Sequence, residues 1–68
     1  HGNVQFRRSL YFIKNMKAGD AITPDCIRSV RPGFGLPPKY FEKVIGCQIK
    51  KNILKNTPVT LDVMDFRA

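Results

Sequence analysis

The chain has 68 residues, a formal net charge of +7 and 43% hydrophobic residues. A chain of this length forms one domain with a small core, which leaves little room for an enclosed active site. No apolar run approaches the roughly 20 residues of a membrane-spanning helix, so we expect a soluble, cytoplasmic domain whose basic surface attracts polyanions or an acidic partner surface.

No charged-then-apolar leader opens the chain. We interpret residues 1–5 as a tag remnant or linker, residues 6–66 as the folded domain and residues 67–68 as a tail. Zinc binding and nucleophilic catalysis find no support in the sequence. His1 is the single histidine, so no zinc spacing or nucleophilic catalytic set is present.

The first predicted element is a strand within residues 5–14, where a run of Tyr, Phe and Ile favours extended structure. Residues 17–20 predict a tight turn, because Gly19 accepts a positive φ and Asp20 can bond back to the backbone. Extended structure resumes at residues 21–22.

A short helical turn is predicted next. Thr23 suits the N-cap, Pro24 the first helical position and Asp25 the first turn. We expect Cys26 and Ile27 to supply its buried face before the chain enters the central loop.

The central loop, residues 30–38, contains three of the five prolines and two of the five glycines. Pro32 restricts the residue before it to extended backbone. Gly33 and Gly35 are predicted to allow positive φ on either side of Phe34. The stretch therefore predicts a loop of fixed shape.

Arg31 opens this loop and has two interpretations. A fixed loop can hold a guanidinium fork at a set position for a carbonyl, carboxylate or phosphate. Alternatively, the loop is a connector whose arginine is only solvated.

A short amphipathic helix is predicted from Pro38 to Ile45, ending at Gly46. Its apolar residues recur at helical spacing: Tyr40, Phe41, Val44 and Ile45. The aromatic pair could form a ligand shelf, but this spacing favours core packing.

The second half of the chain resembles the first when shifted by 37 positions. The identities are Lys14 with Lys51, Asn15 with Asn52, Thr23 with Thr60 and Asp25 with Asp62. Gly19 falls on Asn56, and both residue types tolerate a left-handed turn, so we predict positive φ at both. Two such small units should pack about a pseudo-twofold axis in a compact, mostly β fold with short helical turns.

The remaining reactive groups have structural interpretations. Cys26 and Cys47 are expected to be free thiols of a reduced compartment, although a disulfide stays open. The carboxylates fit turns, caps and a solvated surface: Asp20, Asp25, Glu42, Asp62 and Asp65. We therefore assign no catalytic residue and no metal ligand.

Several spaced motifs resemble the C-terminal antifreeze-like (SAF) domain of bacterial nonulosonic acid synthases. They are Phe6-Arg7-Arg8-Ser9-Leu10, Lys17-Ala18-Gly19-Asp20, Arg28 to Leu36, Ile45-Gly46 and Lys55-Asn56-Thr57-Pro58-Val59. The sequence from Arg28 to Tyr40 is more similar to the pseudaminic acid synthase branch than to the N-acetylneuraminate branch. Asn56 replaces a usual glycine of the family pattern.

This resemblance implies a β-clip fold, as in type III antifreeze proteins, for residues 6–66. It also implies that the chain is a fragment of a transferase. In the family, an N-terminal TIM barrel condenses phosphoenolpyruvate with an N-acylated amino sugar, using manganese or magnesium. The small domain needs no cofactor and covers the barrel of the partner subunit in a domain-swapped homodimer.

The family's substrate-contacting arginine corresponds to Arg31, with Phe34 as a second candidate contact and Pro32, Gly33 and Gly35 as loop-shaping residues. The alternatives are an ice-binding protein or a nucleic-acid-binding module of the same fold. Twelve basic residues oppose a weakly charged ice-binding face, and their dispersal along the chain opposes nucleic-acid binding. We expect neither nucleic acid nor membrane as a partner.

Overall fold

A computed structural model describes residues 7–66 of the chain. The predicted tag remnant or linker at 1–5 and the predicted tail at 67–68 lie outside the described residues. The elements are, in chain order, β1 (Ser9–Phe12), β2 (Ile27–Val30), a 3-10 helix (Pro38–Tyr40), α1 (Phe41–Val44) and a second 3-10 helix (Leu61–Val63). The prediction of a mostly β fold with short helical turns is confirmed.

The two strands form an antiparallel pair. Ser9 lies opposite Val30 and Phe12 opposite Ile27, which fixes the register of all four residue pairs. The first strand, predicted within residues 5–14, is confirmed over Ser9–Phe12, where the aromatic side chains suit a pleated surface. The second strand extends through residues for which the sequence predicted only the approach to the loop.

The two halves of the chain are joined by isolated antiparallel bridges. These are Tyr11–Pro58, Met16–Ile53, Ala21–Gln48 and Ile49–Met64. A shift of 37 positions converts the Tyr11–Pro58 bridge into the Ala21–Gln48 bridge. The Met16–Ile53 bridge is converted into itself, so the pseudo-twofold axis passes through it. The predicted internal repeat is confirmed.

The turns of the two halves confirm the same correspondence. Gly19 has φ +96° and Asn56 has φ +73°. Each turn donates to the opposite half, since the Gly19 N–H bonds the Ile49 carbonyl at 2.6 Å and the Asn56 N–H bonds the Phe12 carbonyl at 2.7 Å. Glycine and asparagine both tolerate a left-handed backbone, so the two turns have the same backbone shape although their residues differ.

A pair of asparagines ties the turns together. The Asn15 side-chain oxygen accepts the Lys55 N–H at 2.7 Å, and the Asn52 side-chain oxygen accepts the Ala18 N–H at 3.0 Å. These bonds are also related by 37 positions, so each half stabilises the other half's turn.

The core lies between the halves. Its buried members are Leu10, Phe12, Met16, Ile22, Cys26, Ile27, Val44, Ile49, Ile53, Val59, Val63 and Met64. Cys26 and Ile27 are buried as predicted, and neither Cys26 nor Cys47 forms a disulfide. Tyr40 and Phe41 pack against the core, which confirms packing as their role.

One prediction about local structure needs correction and another is confirmed. Thr23 was predicted to cap a helix, but residues 24–26 form only a turn, closed by the Cys26 N–H on the Thr23 carbonyl at 2.9 Å. The Thr23 hydroxyl instead donates to the Asp25 carboxylate, because that oxygen lies two residues away on the same turn. The predicted helix after Pro38 is present, as a 3-10 turn followed by α1, and Gly46 ends it with φ +90°.

No helix within residues 7–66 is both long enough and apolar enough to cross a membrane.

Candidate functional site

The central loop is held by one carbonyl group. The Pro32 oxygen accepts the Tyr11 hydroxyl at 2.7 Å, the Ser9 hydroxyl at 3.2 Å and the Phe34 N–H at 3.1 Å. The peptide bond between Arg31 and Pro32 is cis. Three donors on one oxygen fix the backbone next to the arginine.

Ser9 is the buried centre of this arrangement, with a relative exposure of 1%. Its hydroxyl donates to the Pro32 carbonyl and accepts the Gly35 N–H at 2.9 Å, so it joins the two ends of the loop's turn. Ser9 and Tyr11 are two residues apart on β1 and therefore project from the same face of the strand.

Sequence reasoning missed both of these hydroxyl residues. It used Tyr11 only as a residue type that favours a strand, whereas the half-buried ring lies outside the core cluster and its hydroxyl bonds the loop. The available signal was the spacing of Ser9 and Tyr11, which places two hydroxyl side chains on one face of the predicted first strand.

Gly35 lies where two backbones approach each other. A Cβ atom at this position would be 2.5 Å from the Leu10 oxygen and 2.9 Å from the Val59 nitrogen. The next residue, Leu36, accepts the Leu10 N–H at 2.9 Å and donates to the Val59 carbonyl at 2.8 Å. The loop therefore ends as a strand-like segment between the two halves.

The predicted positive φ at Gly33 and Gly35 is wrong. Among the described glycines only Gly19 and Gly46 have positive φ. Gly33 is needed for close approach too, since a Cβ atom there would be 2.9 Å from the Cβ atom of Arg7. Both loop glycines provide space rather than a left-handed backbone.

Arg31 and Phe34 are exposed on this fixed loop, with Phe34 60% exposed. Arg31 lines a shallow groove of about 300 Å³ together with Arg8, Ser29 and Val30. Phe34 is not part of the groove lining. The structure therefore brings Arg31 next to Arg8, which sequence reasoning used only as part of a family motif, and leaves Phe34 apart.

The ion pairs lie elsewhere. Within residues 7–66 they are Lys14–Asp25 at 2.5 Å and Lys51–Asp62 at 3.9 Å, which are related by the internal repeat. The hydrogen bond from Lys14 and a second from Thr23 lower the pKa of Asp25 from 3.8 to about 2. The hydrogen bond from Thr60 lowers the pKa of Asp62 as well.

The described residues contain no group of three or more His, Cys, Asp or Glu side chains that could hold a metal ion. What the site offers is an exposed arginine side chain on a fixed backbone. Such a group binds carbonyl, carboxylate or phosphate oxygens.

Comparison with known proteins gives a consistent result. The SAF domain family profile matches residues 7–62. The chain is 39% identical over 57 residues to pseudaminic acid synthase from Helicobacter pylori, and 41% identical over 51 residues to the enzyme of that name from Campylobacter jejuni. The matches cover 84% and 75% of the chain but only 17% and 15% of these relatives, in their C-terminal regions.

A solved structure has the same fold. The antifreeze-protein-like domain of human N-acetylneuraminic acid phosphate synthase superposes with a TM-score of 0.80, covering 98% of this chain and 84% of that domain. At 16% sequence identity, this similarity concerns the fold alone.

Proposed function

Since the chain belongs to the SAF domain family, we propose that it is the non-catalytic C-terminal domain of a nonulosonic acid synthase. Its loop would contact the substrate of a barrel domain that condenses phosphoenolpyruvate with an N-acylated amino sugar. The two pseudaminic acid synthases that the chain resembles favour that branch of the family. In this proposal the enzyme is cytoplasmic.

The observation that carries the proposal is the placement of Arg31. Its side chain is exposed, and its backbone is fixed by the Pro32 carbonyl with its three donors. An exposed side chain with no role outside this domain would not need a backbone fixed in this way. A side chain that must meet a group on another domain has to be held at a fixed position.

Arg31 is proposed to donate to the N-acyl carbonyl of the sugar. A hydrogen bond from a charged donor contributes about 1.5–3 kcal/mol. Phe34, which is 60% exposed, would offer an apolar surface beside the sugar or against the barrel. It makes the smaller contribution, because it does not line the groove that contains Arg31.

The proposed arrangement is a lid over the barrel of the partner subunit in a homodimer. The basic surface, with a formal net charge of +7, suits an acidic rim or an anionic substrate. The divalent metal and phosphoenolpyruvate would be held by the barrel and not by this domain.

The test separates the two domains of the parent enzyme. Calorimetric titration of the 68-residue chain with Mn²⁺ and with phosphoenolpyruvate should show no micromolar binding, and the chain should have no synthase activity. A parent enzyme lacking this domain should keep its metal and phosphoenolpyruvate sites and lose affinity for the amino sugar. Micromolar binding to the isolated chain, or unchanged sugar kinetics after deletion, would refute the proposal.

A further inference from the structure

The strand register places two arginines next to each other. Ser9 lies opposite Val30 at the end of the β1–β2 pair, and Arg8 and Arg31 are the residues that flank this end of the two strands. Both are exposed and both line the same groove.

Two like charges opposite each other are destabilising unless a counter-charge lies between them. Neither Arg8 nor Arg31 forms an ion pair within residues 7–66, where the ion pairs involve Lys14 and Lys51 instead. The chain thus keeps an unneutralised pair of guanidinium groups beside its rigid loop.

A hydroxyl group completes the lining. Ser29 is half-buried, belongs to β2 and lines the groove with both arginines. Its hydroxyl has no hydrogen-bond partner among the described residues. Two guanidinium groups and a hydroxyl group that line one open groove offer the donors that an oxygen-rich anion requires.

We propose that Arg8, Ser29 and Arg31 bind an oxyanion, either a carboxylate or a phosphate group, in the groove at the end of the β1–β2 pair. The guanidinium group of Arg31 has five N–H donors, so it can serve this anion and a neighbouring carbonyl together. The site goes beyond the proposed lid function, since it assigns a binding role to Arg8 and a charged ligand to the groove.

The experiment is an NMR titration of the 68-residue chain at constant ionic strength, with inorganic phosphate in one arm and acetate in the other. We expect saturable shifts of the amide and guanidinium signals of Arg8, Ser29 and Arg31, with a Kd of about 1–10 mM for at least one anion. Saturation by phosphate alone indicates a phosphate ligand. Saturation by acetate indicates a carboxylate.

Variants decide whether the anion binds through the groove residues or through the overall positive charge of the domain. Arg8→Ala should weaken binding at least about tenfold, the loss expected for one charge-assisted hydrogen bond. Arg28→Ala is the matched control, because it removes the same charge from the other face of the same strand. It should change Kd less than about twofold, as expected for a screened charge.

Arg8→Lys keeps the charge but lacks the planar fork, and should bind the anion with intermediate affinity. It also provides the readout if Arg8→Ala does not fold. Shifts that rise linearly without saturation, or equal losses in Arg8→Ala and Arg28→Ala, would overturn the site. Neither amino sugar nor phosphoenolpyruvate is present, so the result is independent of the proposed synthase function.

Discussion

The two halves of the molecule share the hydrogen bonds of the fold, and within residues 7–66 a fixed loop lies at the edge of the first half. The residues that hold this loop, Ser9 and Tyr11, have Gly46 and Gln48 at the equivalent positions of the second half. Neither counterpart has a hydroxyl group. Around Gly46, Cys47 and Gln48 the second half has an open groove of about 520 Å³ instead.

The difference separates what makes the fold from what is added to it. Bridges, turns and paired asparagines recur in both halves, so they are the requirements of a stable two-fold core. Within residues 7–66 the loop is not among these repeated features, and its residues Arg31 and Phe34 are exposed. We infer that the repeated part supports the unrepeated part, and the predictions below test that division.

The largest effect is expected where the loop passes between the halves. Gly35→Ala should destabilise the domain by at least about 3 kcal/mol, because the new methyl group meets backbone atoms at 2.5 and 2.9 Å that cannot move aside. Gly19→Ala should cost only about 1 kcal/mol, since nothing lies within 4 Å and the strain is confined to φ. Urea denaturation measures both.

Gly19→Asn sharpens this comparison. It places at the first turn the residue type that the second half uses at φ +73°, and should cost less than Gly19→Ala. If Gly35→Ala is no more destabilising than Gly19→Ala, close approach is not the reason for the loop glycine.

The next effect concerns the Ser9 and Tyr11 hydroxyls, which hold the central loop through the Pro32 carbonyl. Ser9→Ala should destabilise the domain by about 1–3 kcal/mol, because it leaves the half-buried Gly35 N–H without its partner. Tyr11→Phe should cost about 1 kcal/mol, since the Pro32 carbonyl retains two other donors. Chemical denaturation provides both values.

Ser29→Ala is the matched control for Ser9→Ala. It removes a hydroxyl without a partner in the described part of the chain and should change stability by less than about 0.5 kcal/mol. Equal costs at Ser9 and Ser29 would show that the Ser9 hydrogen bonds do not hold the loop.

A smaller effect tests the symmetry itself. Asn15→Ala and Asn52→Ala each remove one acceptor from a turn in the opposite half, at 2.7 and 3.0 Å. Each should cost about 0.5–1.5 kcal/mol, and the two values should agree within about 0.5 kcal/mol. A large cost at one position with none at the other would break the proposed equivalence.

The smallest effect is the pH dependence of the repeated ion pairs. Asp25 has its pKa lowered from 3.8 to about 2, so its contribution is complete above pH 4 and is lost as the pH falls toward 2. The pKa of Asp62 is lowered as well. Because the Lys51–Asp62 distance is 3.9 Å and the Lys14–Asp25 distance is 2.5 Å, we expect the pKa of Asp62 to lie above that of Asp25. Carboxyl NMR titration gives both values, and an ordinary pKa at Asp25 would contradict the ion pair.

The repeated part of the fold could be predicted from sequence because its signals are local. Gly19 and Asn56 are residue types that tolerate a left-handed backbone, and matched Lys, Asn, Thr and Asp residues revealed the 37-position shift. The strand followed from a run of β-favouring residues, and the short helix from side-chain periodicity. The turn, strand and helix predictions each use residues that are close along the chain, and the repeat needs only a comparison of the two halves of the sequence.

The contacts that hold the central loop could not be predicted in the same way. The space that Gly35 leaves is set by the Leu10 and Val59 backbones, which are distant in sequence. The hydroxyls of Ser9 and Tyr11 meet the Pro32 carbonyl only after β1 and β2 have paired. The sequence therefore made Arg31 a candidate and Pro32, Gly33 and Gly35 its loop-shaping neighbours, but it did not reveal the groups that hold the loop or the neighbouring Arg8.

Steady-state kinetics of Arg31→Ala in the full-length enzyme tests the central claim most directly. The substitution should leave folding stability within about 0.5 kcal/mol of the starting protein, because the side chain is exposed and its backbone is fixed by other groups. It should lower kcat/KM for the amino sugar by roughly ten- to 150-fold and leave the KM for phosphoenolpyruvate nearly unchanged. Arg31→Lys should recover part of the loss, since it lacks the planar fork. An unchanged kcat/KM for the sugar in a folded Arg31→Ala enzyme would show that the loop is only a connector.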